Sequence, residues 1–207
     1  FIRLGQELGP ERVREMAVRL GFGRALNLAD TLSTAAGQLP EVETLTSSGA
    51  FANFCFGQGE LLATPIQIAA MINTIAAGGI WREPLFLECT LDETTGEPLT
   101  ALAHRGARRV FSAQTARALR ELLASVVTEG TGHEAAPTEG TAAGKTGTAQ
   151  TGQFRAGEEL KNSWFAGVFP AEQPRYTIVV LQDGQTQAAV SSAAVFAQLC
   201  TALHWLG

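Results

Sequence analysis

The sequence predicts an α+β fold in which helices come first and an antiparallel sheet comes second. Three observations carry this. Apolar residues recur at helical spacing over the first two thirds, runs of strand character crowd into the last third, and short connections join those runs. The 207 residues are enough for one domain with a sizeable core or for two small ones. Apolar residues make up 45% of the chain and charged residues 17%, a balance that excludes a disordered polypeptide.

The first helix is expected from Pro10, which suits a first helical turn. Val13, Met16, Ala17 and Leu20 then share a face, and Gly21 stops the helix. Residues 24 to 60 show no clear period and many small side chains, so loop with short helical turns is expected. Thr64-Pro65-Ile66-Gln67 has the form of a capping box, with Thr64 as N-cap, Pro65 at N1 and Gln67 at N3. The helix it opens is apolar almost all round and ends at Gly78-Gly79, a pattern that predicts burial inside a larger body. Ser112 is the next N-cap, and Leu119, Leu122, Leu123, Val126 and Val127 line the apolar face of a helix that ends at Gly130. Strands are predicted over 142–150, 163–169 and 176–182, with Asp183-Gly184 as a turn signal after the last. A final helix from about Ser191 carries Val195, Phe196, Leu199, Leu203 and Leu206 on one face.

Composition narrows the partners. Fifteen basic and 20 acidic residues give a net charge of -5 with no basic stretch, which argues against nucleic acid as a ligand. The longest apolar stretch, 61–77, is broken by Thr64, Pro65, Gln67, Asn73 and Thr74 and is no membrane span. Cys55, Cys89 and Cys200 form no C-x-x-C, so neither a disulfide framework nor a zinc site is supported, and no cofactor is implied. His104, His133 and His204 fall in no motif and are expected as surface or packing residues. Trp164 and Phe165 are expected as strand packing.

The chemistry concentrates in Gly144-Lys145-Thr146-Gly147-Thr148-Ala149-Gln150. A phosphate-binding P-loop needs four residues between its glycines and a helix after its lysine. Gly140-Thr141-Ala142-Ala143-Gly144-Lys145-Thr146 has three, and Gly147 and Gly152 interrupt the stretch where that helix would run. A K-T-G box on a strand fits instead. Alternation places Lys145 and Gly147 on one face and Thr146, Thr148 and Gln150 on the other. The two threonine hydroxyls suit a carboxylate, and Lys145 adds positive charge beside it. Threonines on a strand are also ordinary β-formers, and the neighbouring Lys and Gly weigh for function.

The surroundings extend the pattern. Gly57-Gln58-Gly59-Glu60-Leu61-Leu62-Ala63-Thr64-Pro65-Ile66-Gln67-Ile68-Ala69 resembles the G-Q-G-x-L-x-x-T-P-L-Q-x-A segment of penicillin-binding protein transpeptidases. Gly78-Gly79, Pro84, Gly130-Thr131-Gly132, the K-T-G run, Ser163-Trp164-Phe165-Ala166-Gly167 and Pro170-Ala171 come in that family's order. The chain resembles the class B, monofunctional members from about Gly5 onward. The resemblance implies the C-terminal part of the serine transpeptidase/β-lactamase-like fold, with the sheet packed by helices and the K-T-G strand at its edge. One incomplete transpeptidase domain is expected over 1–207, mostly helical over 1–130, with the K-T-G strand, two further strands and a helix over 131–207.

By the same resemblance, Lys145 bonds the serine of an S-x-N box and the Thr148 N–H is one of two oxyanion donors. Thr146, Gly147, Thr148 and Gln150 line the substrate, Gly147 lets the nucleophile's helix approach, and Gln58 supports the site from a tight turn. The implied reaction is D,D-transpeptidation of peptidoglycan stem peptides through a serine acyl-enzyme, with β-lactams as acylating inhibitors. Yet the sequence has two lysines, and Ala142 and Glu158 stand three residues before them, so no S-x-x-K exists; nor is any serine followed two residues later by Asn. Phe1 to Gly5 matches the residues just after S-x-N, so a cut from a longer protein is expected, the chain alone being inactive. The missing N-terminal part of the domain, as a separate segment or a swapped copy, is an expected partner. The site is expected outside the bacterial cytoplasmic membrane, with the anchor in a segment absent from this chain. A serine β-lactamase fragment and a non-catalytic interaction module are the alternative readings; the intact K-T-G argues against the second.

Overall fold

The computed structural model describes residues 1–29, 32–87, 89–101, 106–186 and 190–206. It divides into two compact units, one of Phe1–Ala70 with Ile80–Val110, the other of Met71–Gly79 with Phe111–Gly207. His104 lies outside the described residues.

The first unit holds helices α1 (Ile2–Leu8), α2 (Pro10–Arg19) and α3 (Ser48–Phe54), a 3-10 turn over Val42–Thr46, and the start of α4 (Pro65–Ala76). Six short strands join in antiparallel pairs: β1 (Asn27–Ala29) with β2 (Leu32–Ser33), β3 (Ile80–Trp81) with β6 (Arg108–Arg109), and β4 (Cys89–Leu91) with β5 (Pro98–Ala101). Pro10 opens α2 as expected. The preceding helix, α1, is not legible in the sequence because it has neither a side-chain cap nor an acidic first turn. Val13 and Ala17 of α2 pack on Leu45, Phe51 and Phe54. Met16, expected on the same face, is exposed. Trp81 is buried, its Nε1 donates to the Leu20 carbonyl at 2.9 Å, and the Arg108 guanidinium lies 3.9 Å from its ring centre.

The capping box forms: Thr64 N–H donates to Gln67 Oε1 at 2.9 Å and Gln67 N–H to Thr64 Oγ1 at 3.3 Å. Gln67 does more than cap. Its Nε2 also donates to the Ala36 carbonyl at 2.9 Å and to that of Arg24 at 3.0 Å, tying the residues that flank the β1–β2 pair to the helix start. Expected inside a larger body, α4 is buried only in part among these residues. Its fully buried side chains include the polar Gln67 and Thr74, while Ile66, Ile68, Met71 and Ile75 are half-buried. Ala70 and Ile72 are buried beside them, and a largely apolar surface does not by itself say how much of it finds cover.

The second unit contains α5 (Ala113–Thr128), a 3-10 turn over His133–Ala135, β7 (Ala143–Arg155), β8 (Glu158–Phe169), β9 (Tyr176–Gln185) and α6 (Ser192–Trp205). The sheet order is β7-β8-β9, antiparallel throughout, so β7 and β9 are its edges. Ser112 and Ser191 cap α5 and α6 by accepting from Thr115 N–H at 3.0 Å and Ala194 N–H at 3.1 Å. The core between sheet and helices comprises Val127, Ala135, Ala142, Phe165, Phe169, Ala193, Phe196 and Cys200, with Phe165 and Phe196 rings 4.5 Å apart.

Three expectations about this unit need correction. Asp183-Gly184 is no turn: β9 runs through it, and Gly184, at φ 58°, sits where the register shifts, a β-bulge. β7 and β8 extend well beyond their predicted ends into a hairpin whose two loop residues, Ala156 and Gly157, both have positive φ, as a type I′ turn requires. Alanine there and the polar arm leave no hairpin signature in the sequence. Finally, the helix faces hold in part: Leu119, Leu123, Val126, Val127, Val195, Phe196 and Leu203 are buried or half-buried as expected, and the remaining apolar positions are not. On α5, Ala116 and Val127 are buried and Leu122 is exposed; on α6, Ser192, Ala193, Phe196 and Cys200 are buried, while Leu199 and Leu206 face outward. Small residues beside Val127 and Phe196 complete the contact, so large apolar residues mark it only in part.

Burial pushes the Cys200 thiol up to about 12. Its neutral form is therefore kept in the folded state. No stability is lost through it below the unfolded thiol pKa, whereas pH rising from there towards the folded value favours unfolding. A thiol reagent at mildly alkaline pH is expected to label the half-buried Cys55 and Cys89 and to reach Cys200 only after denaturant is added; equal labelling in the native state would contradict its placement.

Candidate active site

The K-T-G residues lie on β7, and their hydroxyl and ammonium groups meet at one end of it. Lys145 Nζ donates to Thr146 Oγ1 at 2.8 Å, to the Thr146 carbonyl at 3.2 Å and to Thr131 Oγ1 at 3.3 Å. The Thr131 and Thr146 hydroxyls are themselves 3.3 Å apart. Thr131 reaches β7 because the chain folds back as α5 ends: Gly132 N–H donates to the Val126 carbonyl at 3.0 Å, and Ala135 plugs the core directly behind. The two hydroxyls accept from the ammonium and bond each other, so one hydroxyl proton is left to point elsewhere beside the positive charge, an arrangement suited to an anionic group.

The strand itself is held by close backbone approach. Gly144 and Gly167 are register partners. A Cβ on Gly144 would stand 2.5 Å from Phe165 Cε1, and one on Gly167 would stand 2.5 Å from the Ala143 carbonyl oxygen. Gly147 is different. A Cβ there would meet nothing nearer than Trp164 Cβ at 3.4 Å, an ordinary contact, so packing within this chain does not demand glycine. Thr148 is exposed and stands directly opposite Ser163. Gln150, expected among the substrate residues, turns its Nε2 to Glu159 Oε2 at 2.9 Å and does not join the lysine cluster. Gln58 lies in a turn between Gly57 and Gly59, both with positive φ, and its N–H donates to the Asn53 carbonyl at 2.9 Å. In the sequence Thr131 stands out only as part of Gly130-Thr131-Gly132; its position just after the helix that leads into the K-T-G strand is the signal for its role.

A strand, with no helix after Lys145, removes the P-loop reading. Among the described residues no group of three His, Cys, Asp or Glu could hold a metal ion. A family model of the penicillin binding protein transpeptidase domain matches residues 1–201.

The chain belongs to the penicillin-binding protein transpeptidase family.

Relatives in that family include penicillin-binding protein PbpB of Mycolicibacterium smegmatis, 35% identical over 201 residues, covering 92% of this chain and 30% of that protein. Peptidoglycan D,D-transpeptidase FtsI of Escherichia coli is 32% identical over 188 residues, covering 86% of this chain and 29% of that protein. These names bear out the resemblance to class B transpeptidases. Among solved structures, penicillin-binding protein 3 of Mycobacterium tuberculosis in complex with aztreonam superimposes with a TM-score of 0.86 at 30% identity, over 99% of this chain and 48% of that one. The transpeptidase-like α+β fold is thereby established. The chain spans less than a third of the length of these two curated relatives.

Proposed function

We propose that these residues form the K-T-G wall of a D,D-transpeptidase site that works with a serine nucleophile outside the 207 residues. The observation that carries this reading is the cluster of Lys145, Thr131 and Thr146 on an edge strand, in a chain of this family. Acyl transfer passes through a tetrahedral intermediate whose oxyanion needs fixed N–H donors. Along an antiparallel edge strand each residue's N–H and C=O point the same way, and residues two apart share a side. The Thr146 carbonyl is met by Lys145 Nζ, which supports the reading of the Thr148 N–H, on the same side of the strand, as the oxyanion donor. The Thr146 and Thr148 hydroxyls take the C-terminal carboxylate of a stem peptide, or the corresponding group of a β-lactam, and Lys145 supplies charge and a bond to the serine of S-x-N. Gly147 leaves space that only an approaching nucleophile's helix would need.

The complete protein would attack a D-Ala-D-Ala peptide with that serine, release the terminal D-Ala and pass the acyl group to an amine on another peptide. It would do so outside the cytoplasmic membrane; among the described residues no helix is long and apolar enough to cross one. The outer edge of β9, which pairs with no strand among the described residues, would be covered by the remaining part of the same domain, as a separate segment or a swapped copy. No metal or organic cofactor enters this chemistry. The isolated chain is expected to form no covalent adduct with a labelled penicillin, as read by intact mass. A stable stoichiometric adduct would overturn the proposal.

A further inference from the structure

A polar row crosses the sheet at the level of Thr148. Thr148, Ser163 and Gln182 are register partners on β7, β8 and β9, and alternation puts their side chains on the face that carries Phe165. Ser192, buried in the first turn of α6, closes the row. Its Oγ lies 2.9 Å from Ser163 Oγ, 3.0 Å from the Ser163 carbonyl oxygen and 2.9 Å from Gln182 Oε1. Gln182 Nε2 donates to the Val190 carbonyl at 2.8 Å, which turns its Oε1 towards Ser192. Ser192 has one proton for three oxygen neighbours. It can donate to only one of them at a time, and all three lie within hydrogen-bond distance, so Ser192 holds Ser163 and Gln182 at one point.

The helix does not need this hydroxyl. Ser191 already caps α6, so the second serine serves the sheet. The sheet needs it at this level. Beyond Ser163 the pairing with β9 shifts at the Gly184 bulge, and beyond Gln150 the pairing of β7 with β8 shifts as well. The Thr148–Ser163–Gln182 row is the last level at which all three strands are in regular register before the bulge.

We propose that Ser192 is a positioning residue for Thr148: by clamping Ser163 and Gln182 it keeps the irregular register from spreading into the K-T-G strand. This rests on the reading of Thr148 as an oxyanion donor.

The test uses the complete protein and a concentration series of fluorescent penicillin, which separates the saturation constant from the limiting acylation rate. Ser192→Ala is expected to lower the limiting rate about tenfold, less than the roughly 10²–10³ of a deleted donor because the donor is displaced and not removed. The saturation constant is expected to stay within about twofold, and Ser192→Thr, which keeps a hydroxyl, to recover the rate. Phe196→Leu, which loosens α6 without touching the row, is expected to lower the thermal midpoint and leave the limiting rate near the parent's. An unchanged rate in Ser192→Ala, no recovery in Ser192→Thr, or an equal fall in Phe196→Leu would overturn the proposal. Should Ser192→Ala not fold, Gln182→Leu carries the test, with the same fall in limiting rate expected and an unchanged rate counting against it. Lys145→Ala alongside separates the two ideas. If it acylates like the parent, the reading of the box fails; if it is silent while Ser192→Ala is normal, only the positioning role fails.

Discussion

Lys145→Ala in the complete protein is expected to slow acylation by a labelled penicillin by about 10²–10³-fold, the range seen when one preorganised stabilising group is lost from an acyl-transfer site. Lys145 donates to three oxygens at the end of the strand, so its removal deletes the charge and also takes away the ammonium that holds the paired Thr131 and Thr146 hydroxyls in place. Both losses fall on the anion-binding wall. Thr148→Val should do less, on the order of tenfold, because the backbone N–H stays and only a hydroxyl is removed. Stopped-flow or gel fluorescence time courses measure both. Parent-like acylation by Lys145→Ala would show that the box has no catalytic role.

Phe165→Ala is expected to destabilise the second unit by about 3–5 kcal/mol, the range for emptying a fully buried aromatic site. The ring is fully buried, packs at a tilt against Phe196 with centres 4.5 Å apart and lies over Gly144, so the cavity would open directly beneath the strand that carries Lys145. Against a domain stability of about 5–15 kcal/mol, that loss is a large fraction. Denaturant unfolding of the complete protein would show it as a lower midpoint. Leu122→Ala is the contrast. Leu122 is 65% exposed on α5, and its truncation should stay within about 0.5 kcal/mol. If the two variants unfold alike, the core has been assigned to the wrong residues.

That contrast shows where sequence reasoning reaches and where it stops. The capping box at Thr64 to Gln67, the serine caps at Ser112 and Ser191 and the antiparallel order of the last three strands are local chemistry, and each is found where the residues put it. Helix faces are not local. Val127 and Phe196 make the contact the stripe predicts, but Leu122, Leu199 and Leu206 fit the same stripe and are exposed, while Ala116, Ala193 and Cys200, which no stripe marks, are buried. The Asp183-Gly184 pair carries the same dihedral preference in a turn and in a bulge, and only the pairing of Lys161 with Gln185 tells them apart.

The site is legible in part for the same reason. Lys145, Thr146, Gly147 and Thr148 are contiguous, so a short motif marks them. Thr131 comes from a segment 14 residues before Lys145 and is joined to it only by the fold of the chain after α5. Ser163, Gln182 and Ser192 are likewise scattered in sequence and gathered by register. Gln150 shows the converse. It shares a face with Thr148 by alternation, yet Glu159 across the hairpin captures its amide.

Lys145 and its neighbours should act on a serine that is not among these 207 residues, and a single measurement can reach that serine. The complete protein can be labelled with a penicillin, digested, and the adduct located by peptide mass spectrometry. The expected result is one modified serine outside the 207 residues, in an S-x-x-K peptide, with the label lost in Lys145→Ala. An adduct on any of the serines within Phe1–Gly207, or an undiminished adduct in Lys145→Ala, would contradict it.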